Sequence, residues 1–335
     1  MKNNFIGNTD LTVTDFAFGT APLGNIFRPI DEITCQAMVD TAWQRGVRFF
    51  DTAPMYGHGL SELRTGHYLR EYPREDWVLA TKVGRLLKPQ LRAKINFEPW
   101  VDAAANEVIF DYSYDATMRS VEDSLQRMAC SYIDMLFIHD IDVFTHGEQQ
   151  PQRFSEAMNG AAKALMHLKE QGLVKAVGVG VNEWEVCHAA LQQYDFDVFL
   201  LAGRYTLLEQ EALNEFFPLC QQKQASVVVG GGFNSGILAT GAVPGAKYNY
   251  APAPEAIMQK VAGIELVCAE YGVELPAAAL QFVTAHPVVA SFIAGTRNQQ
   301  QLSNNLDWVS SPIAPEFWVR LKELNLLRQD APVPA

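Results

Sequence analysis

Eight short apolar runs punctuate this chain at fairly regular intervals: FAFGT (16–20), RFFDTA (48–53), WVLATKV (77–83), IDMLFIHD (133–140), VKAVGVGV (174–181), DVFLLAG (197–203), SVVVGG (226–231) and SFIAGT (291–296). They are rich in β-branched and aromatic residues and apolar on both sides, the pattern of strands covered on both faces. Between them lie longer stretches with helical periodicity. DEITCQAMVDTAWQRG gathers Ile33, Met38, Val39 and Ala42 on one face, with Gly46 as its stop. SELRTGHYLREY, DATMRSVEDSLQRM, PQRFSEAMNGAAKALMHLKEQG, EWEVCHAALQQY and LEQEALNEFFPLCQQK repeat the scheme. Strands that alternate with helices pair in parallel, because each helix carries the chain back to where the next strand begins. Eight is the number that closes on itself, so the expected fold is α/β, a (β/α)8 barrel. The competing arrangement is an open doubly wound sheet, but the first strand-to-helix junction, FGTAPLGNIFRP, has no Gly-x-Gly-x-x-Gly turn.

The stretch from Asn3 to Thr14 reads as a hairpin with a Gly-Asn turn that covers the barrel bottom. No composition shift or linker divides the chain, so residues 1–335 are expected to form one domain. Two connections exceed ordinary β/α loops: residues 84–113 after the third strand and 232–253 after the seventh. Loops of that length in a compact domain usually carry function.

With 335 residues, 48% of them hydrophobic, the chain can bury a large core. A formal charge of −12 leaves no basic field for nucleic acid or an anionic membrane. Neither is an expected partner, and any phosphate in a small ligand must be held locally. Cys35, Cys130, Cys187, Cys220 and Cys268 are scattered without a Cys-x-x-Cys and read as reduced thiols of a cytoplasmic protein. The first residues contain no apolar signal segment, and no run of about 18 apolar residues follows.

In such a barrel, reactive groups collect where strands run into their following loops. Asp51 and Tyr56 stand beyond the second strand, Lys82 near the end of the third and His139 at the end of the fourth. Singly, Asp51 reads as a turn or cap, Tyr56 as packing and His139 as a satisfied core histidine. Lys82 in LATKVG is harder to dismiss, since a lysine inside an apolar strand must snorkel out or pair with an acid. Together the four make a proton-transfer site on three successive strand ends.

GVRFFDTAPMYGHGLSE and this ordered set of four resemble the aldo-keto reductases, and the likeness runs from Phe5 to Leu324. FDYSYDATMRSVEDSLQRM and SYIDMLFIHDID are similar to the subgroup containing D-threo-aldose 1-dehydrogenase, L-fucose dehydrogenase and pyridoxal 4-dehydrogenase. The resemblance implies an NAD(P)-dependent oxidoreductase with Asp51, Tyr56, Lys82 and His139 as its catalytic tetrad. A free phenol titrates near pH 10, so Tyr56 needs a cation that favours its phenolate. Lys82 is the expected cation, Asp51 its holder, and His139 the group that orients the substrate oxygen.

The resemblance also places the cofactor, NAD or NADP. Asn182 stands where the family holds the nicotinamide amide, with Gly180 or Val181 in place of a serine. Ala202 replaces a glutamine three residues before Tyr205, and Gly230 replaces the aromatic residue under the ring. After the seventh run, Phe233, Asn234, Ser235, Gly236 and Leu238 are the candidates for the pyrophosphate. After the eighth, GTRNQQQLSNNL matches the segment that grips the adenosine end, with Gly295, Thr296, Arg297, Gln301, Asn304 and Asn305 as candidates. Two of the family's usual cations there are replaced by Gly295 and Gln301, leaving Arg297, so NAD is expected at least to be accepted.

Phe97, Trp100, Phe110, Tyr112, Tyr248 and Tyr250 in the two long loops suit a sugar or a pyridine ring. The expected reaction is oxidation of a free aldose at its anomeric carbon to the lactone. Pyridoxal oxidation and general aldehyde or ketone reduction are the alternatives within the family. From another class, HDIDVFTH offers His139, Asp140, Asp142 and His146 to a metal-dependent hydrolase, but one strand end and its loop are a poor source of a whole ligand set. A non-catalytic nucleotide-sensing subunit is opposed by the intact tetrad. No metal is expected.

Overall fold

The computed structural model describes residues 1–334. The eight apolar runs are its barrel strands: β1 (Phe16–Gly19), β2 (Phe49–Asp51), β3 (Val78–Val83), β4 (Met135–His139), β5 (Ala176–Val181), β6 (Val198–Ala202), β7 (Ser226–Gly230) and β8 (Val289–Ala294). They pair in parallel in chain order, and β8 closes onto β1. The period of two along each strand divides the core. Ala17, Phe49, Ala80, Met135, Phe137, Val198 and Leu200 face inward and fill the lumen. Phe18, Phe50, Leu79, Leu136, Ile138, Phe199 and Leu201 face outward into the layer under the helices.

The N-terminal hairpin pairs Asn3–Phe5 with Thr12–Thr14. Its Ile6, Leu11 and Val13 join the lumen cluster and seal the lower end. Helix α1 (Glu32–Gln44) begins where the Asp31 side chain accepts from the Thr34 amide. It buries Cys35, Met38, Val39 and Ala42, whereas Ile33 is 83% exposed. Ile33 does not share that face because five residues of helix separate it from Met38 by about 140°. The stretch 151–172 forms two helices, Gln150–Asn159 and Ala161–Glu170. In LEQEALNEFFPLCQQK only Phe216–Lys223 is α-helical. Pro218 has no N–H to give a preceding turn, so the helix starts just before it.

Both long connections lie at the carboxyl ends of their strands and are ordered. Residues 84–113 contain an antiparallel ribbon, Arg85–Pro89 against Asn106–Phe110. Residues 232–253 contain a helical turn, Ile237–Thr240, and a short pairing of Lys247–Tyr248 with Ala251–Pro252. All five cysteines are unpaired. Among the described residues no single helix is long and apolar enough to cross a membrane.

Candidate active site

Strand alternation carried to the carboxyl end of the lumen gives two unlike halves. Asp51, Lys82 and His139 stand on β2, β3 and β4, all buried. On β5 to β7 the corresponding positions are Gly180, Ala202 and Gly230. A Cβ at Gly180 would face Phe137 Cβ, Leu200 Cβ and Lys82 Cε at 3.4–3.8 Å, which places it inside the ring. One half of the mouth carries the ionisable groups, and the other carries almost no side chain.

Lys82 Nζ donates to both Asp51 oxygens at 2.9 Å and to the Thr52 carbonyl at 2.7 Å. An ammonium has three N–H groups, and these three acceptors account for them. Burial opposes the charge, but Asp51 and Tyr56 outweigh it and hold the Lys82 ammonium above its ordinary value. The ammonium sits 4.8 Å from the centre of the Tyr56 ring.

Tyr56 is fixed by its loop. Gly57, His58 and Gly59, which follow it, all have positive φ, between 54° and 101°. Gly57 touches the chain after β1 so closely that a Cβ would lie 2.5 Å from the Gly24 carbonyl oxygen. His58 Nδ1 meets the Asn106 carbonyl at 2.6 Å, tying this turn to the ribbon. Trp100 from the same connection covers the Tyr56 ring at 5.7 Å between centres. Burial pushes the Tyr56 phenol up to about 12, the Lys82 cation pulls it down, and the Asp51 charge raises it. Lys82 thus acts in the expected sense, but burial outweighs it.

His139 meets Tyr56 edge-on, with ring centres 6.1 Å apart. Burial, then the Arg85 and Lys82 charges, hold its imidazole well below the ordinary value, so it is neutral at pH 7. Its Nε2 lies 3.5 Å from Asp140 Oδ2, which accepts from Arg85 Nη2 at 2.7 Å. Tyr112 braces this corner from below, its hydroxyl 2.9 Å from the His139 carbonyl and 2.8 Å from that of Asp140. Gly84, at φ +100°, lets β3 turn over the Tyr112 ring, where a Cβ would sit 2.3 Å from Cε1. The sequence reading missed Arg85 and the bracing role of Tyr112. The signal for Arg85 was an arginine three residues beyond a strand lysine, in the apolar KVGRLL.

The cofactor candidates divide. Asn182 stands just past the end of β5, its backbone N–H donating to Asp142 Oδ2 at 2.8 Å. Asn234 is buried, donates to the Gly203 carbonyl at 3.1 Å, and has a side-chain oxygen with no partner. Ser235 and Gly236 follow with positive φ, and open space surrounds Gly236. The open turn at Ser235 and Gly236 and the bare half of the mouth fit a dinucleotide lying from the loop after β7 toward Lys82. Leu238 and Phe233 do not present side chains to it. Leu238 is fully buried with its N–H on the Phe233 carbonyl, and Phe233 packs on Phe292. Tyr205 is placed away from the groove: Gly203 turns the chain outward, and its ring is fully buried against Phe217, Phe282 and His286.

Among the candidates for the adenosine end, Gly295 and Gln301 are exposed, while Thr296 and Asn305 are buried. Asn304 accepts from Gln300 and Gln301 from the Arg297 amide. Arg297 itself donates to the Ile26 and Arg28 carbonyls at 2.6 and 2.7 Å, so its guanidinium straps the loop after β1.

The rival metal set is not gathered. Asp142 caps the turn Val143–His146 and holds Asn182, and His146 Nε2 faces the Asp140 carbonyl at 2.8 Å. Among the described residues no three His, Cys, Asp or Glu side chains are grouped to hold a metal ion. Of the loop aromatics, Tyr112 is a brace, Phe110 lies under Arg85 and Tyr248 bonds Glu209; Trp100 lies beside Tyr56 and Tyr250 is exposed against Phe144.

A family model described as the aldo/keto reductase family matches residues 15–326. A pyridoxal 4-dehydrogenase from Microbacterium luteolum is 40% identical, covering 96% of this chain and 97% of that protein. A D-threo-aldose 1-dehydrogenase from a Pseudomonas species is 32% identical, covering 95% of each. Among solved structures, the holo form of an aldo-keto reductase from Bacillus halodurans matches with a TM-score of 0.75 at 26% identity, covering 97% of this chain and 96% of that one.

Proposed function

Because the chain belongs to the aldo/keto reductase family and is an oxidoreductase, we propose that it transfers hydride between a nicotinamide dinucleotide and the anomeric carbon of a free aldose, yielding the lactone. The observation that carries this reading is the buried Lys82–Asp51 pair under Tyr56, with His139 at the edge of the same ring. When bound, the nicotinamide accepts or supplies the hydride. The remaining work falls to side chains. His139, neutral, gives a ring N–H to the substrate oxygen and orients it. Tyr56 hands that oxygen a proton in reduction and removes one from the hydroxyl in oxidation. Lys82 acts on the phenol as a fixed charge that stabilises the developing phenolate. Asp51 keeps that charge in place, since an unpaired buried amine sheds its proton.

Pyridoxal is the second reading, favoured by the 40% identity to a pyridoxal 4-dehydrogenase. The two substrates share a chemistry: each closes to a cyclic hemiacetal, and removing hydride from that carbon and a proton from its hydroxyl makes a lactone. NAD is the preferred cofactor in this reading, because Arg297 is already engaged by two carbonyls. The unpaired cysteines fit a reducing, cytoplasmic setting.

The test is turnover of L-fucose, D-arabinose, L-galactose and pyridoxal with NAD and with NADP. Tyr56→Phe should lower kcat by about 10²- to 10⁴-fold. Turnover of simple aldehydes alone, with NADPH, or full activity in Tyr56→Phe, overturns the reading.

A further inference from the structure

Arg85 and Asp140 form a buried ion pair that the reaction above does not use. The Arg85 side chain is 4% exposed, its guanidinium lies 4.6 Å from the centre of the Phe110 ring, and its Nη1 is buried without a partner. Holding a guanidinium this way is unfavourable for folding, and such arrangements concentrate where ligands bind.

Asp140 is placed with equal care. Its φ is +48°, a left-handed conformation that side chains other than glycine rarely adopt. After His139 points into the lumen, regular alternation would turn residue 140 outward; the left-handed turn brings its carboxylate back beside His139. The backbone is held on both sides, its N–H on the Gly180 carbonyl at 2.9 Å and its carbonyl on Tyr112 and His146. Oδ2 takes Arg85 Nη2, while Oδ1 has no hydrogen bond among the described residues and is not sealed from solvent. Oδ2 lies 3.5 Å from His139 Nε2, and the His139 ring lies 6.1 Å from that of Tyr56, which sets the carboxylate beside the mouth of the site.

We propose that Asp140, aimed by Arg85, is a specificity determinant: Oδ1 accepts a hydrogen bond from a substrate hydroxyl neighbouring the reacting carbon. The inference rests on the dehydrogenase reading and deepens it. A carboxylate can only accept, so it welcomes a hydroxyl and gains nothing from a C–H in its place. A substrate lacking that hydroxyl leaves a desolvated carboxylate oxygen without a partner, which is how sites built for a hydroxyl discriminate strongly. The predicted substrate class is hydroxylated aldehydes and their cyclic hemiacetals, in preference to the deoxy compounds.

The experiment compares kcat/KM for glyceraldehyde and propanal with NADH, which have the same carbon chain and differ in hydroxyls. Wild type should prefer glyceraldehyde. Asp140→Leu should reduce that ratio by about 10- to 100-fold, as expected for a hydrogen bond to a charged group. Arg85→Met combined with Asp140→Leu removes both charges together, leaves no orphaned guanidinium, and should show the same collapse. A ratio that stays within twofold of wild type in the double variant, with both rates moving in parallel, means that the pair only supports His139 and overturns the inference. A wild type that turns over both aldehydes without preference overturns it as well. Failure of wild type to turn over these aldehydes, the aldoses and pyridoxal sinks the dehydrogenase reading, and this inference with it.

Discussion

Replacing Asp51 by asparagine separates what the Lys82 pair does for stability from what it does for chemistry. Asparagine keeps the shape but removes the charge, and only the Thr52 carbonyl, at 2.7 Å, is left as an undisturbed acceptor for the ammonium. Both side chains are at most 4% exposed, so water does not take over the lost partner. Breaking one side of a buried pair costs about 3–5 kcal/mol. With an unfolding entropy of about 2.1 cal/mol/K per residue over 335 residues, the melting temperature should drop by about 4–7 °C. The deficit should shrink as pH rises: without Asp51 the folded-state pKa of Lys82 falls below its unfolded value, so the unfolded chain binds the extra proton and loses that advantage in base. Asp51→Leu with Lys82→Met removes both charges and should recover stability to within about 1 kcal/mol of wild type. Turnover should be lost in both variants. Thermal melts at pH 7 and pH 9, beside kcat/KM, read all of this. An Asp51→Asn protein that melts within about 1 °C of wild type, or a double variant no more stable than the single, would refute the reasoning.

His286 is buried among Tyr205 and Phe217, accepts the Val288 amide on Nδ1, and is pushed down to about 4 by burial. Below pH 6.5 the unfolded chain takes up the proton and the folded one does not until about pH 4, so stability falls through that window as acid is added. His286→Phe should flatten this dependence in urea titrations compared between pH 7 and pH 4.5. Arg297→Leu should weaken NAD and NADP binding by similar factors, because the lost contacts are to loop carbonyls; a selective loss of NADP in calorimetry would show a phosphate hook instead. Gly84→Ala should destabilise by about 2–4 kcal/mol through positive φ and collision with Tyr112, and should lower kcat because Tyr112 carries the His139 and Asp140 carbonyls. Denaturant midpoints and initial rates check both parts.

The barrel was legible because its strands are buried on both faces, and a run such as VKAVGVGV has no other stable role between two helices. Asp51, Tyr56, Lys82 and His139 stood out for a related reason, since each is a polar residue where the apolar pattern ends. Ile33 lies off the buried face because five steps of 100° put it about 140° from Met38, so an apolar side chain within the helix does not by itself mark the face. Tyr205 was misplaced because a spacing from Ala202 does not tell which way the Gly203 turn sends the chain. Arg297 could not be read as a strap, since its partners are carbonyls about 270 residues away in sequence and carbonyls have no residue type. Asp140 was visible only as an acid beside a histidine; its left-handed backbone and its pairing with Arg85 are three-dimensional facts.

Because Gly180, Ala202 and Gly230 contribute so little, selection has two nearly independent surfaces to act on. In the reading proposed above, exchanging the loops that follow β7 and β8 would retune which dinucleotide is held, while the strand ends assigned to the proton would keep their neighbours. A lineage built on this ring would then change its redox currency without relearning its acid–base step.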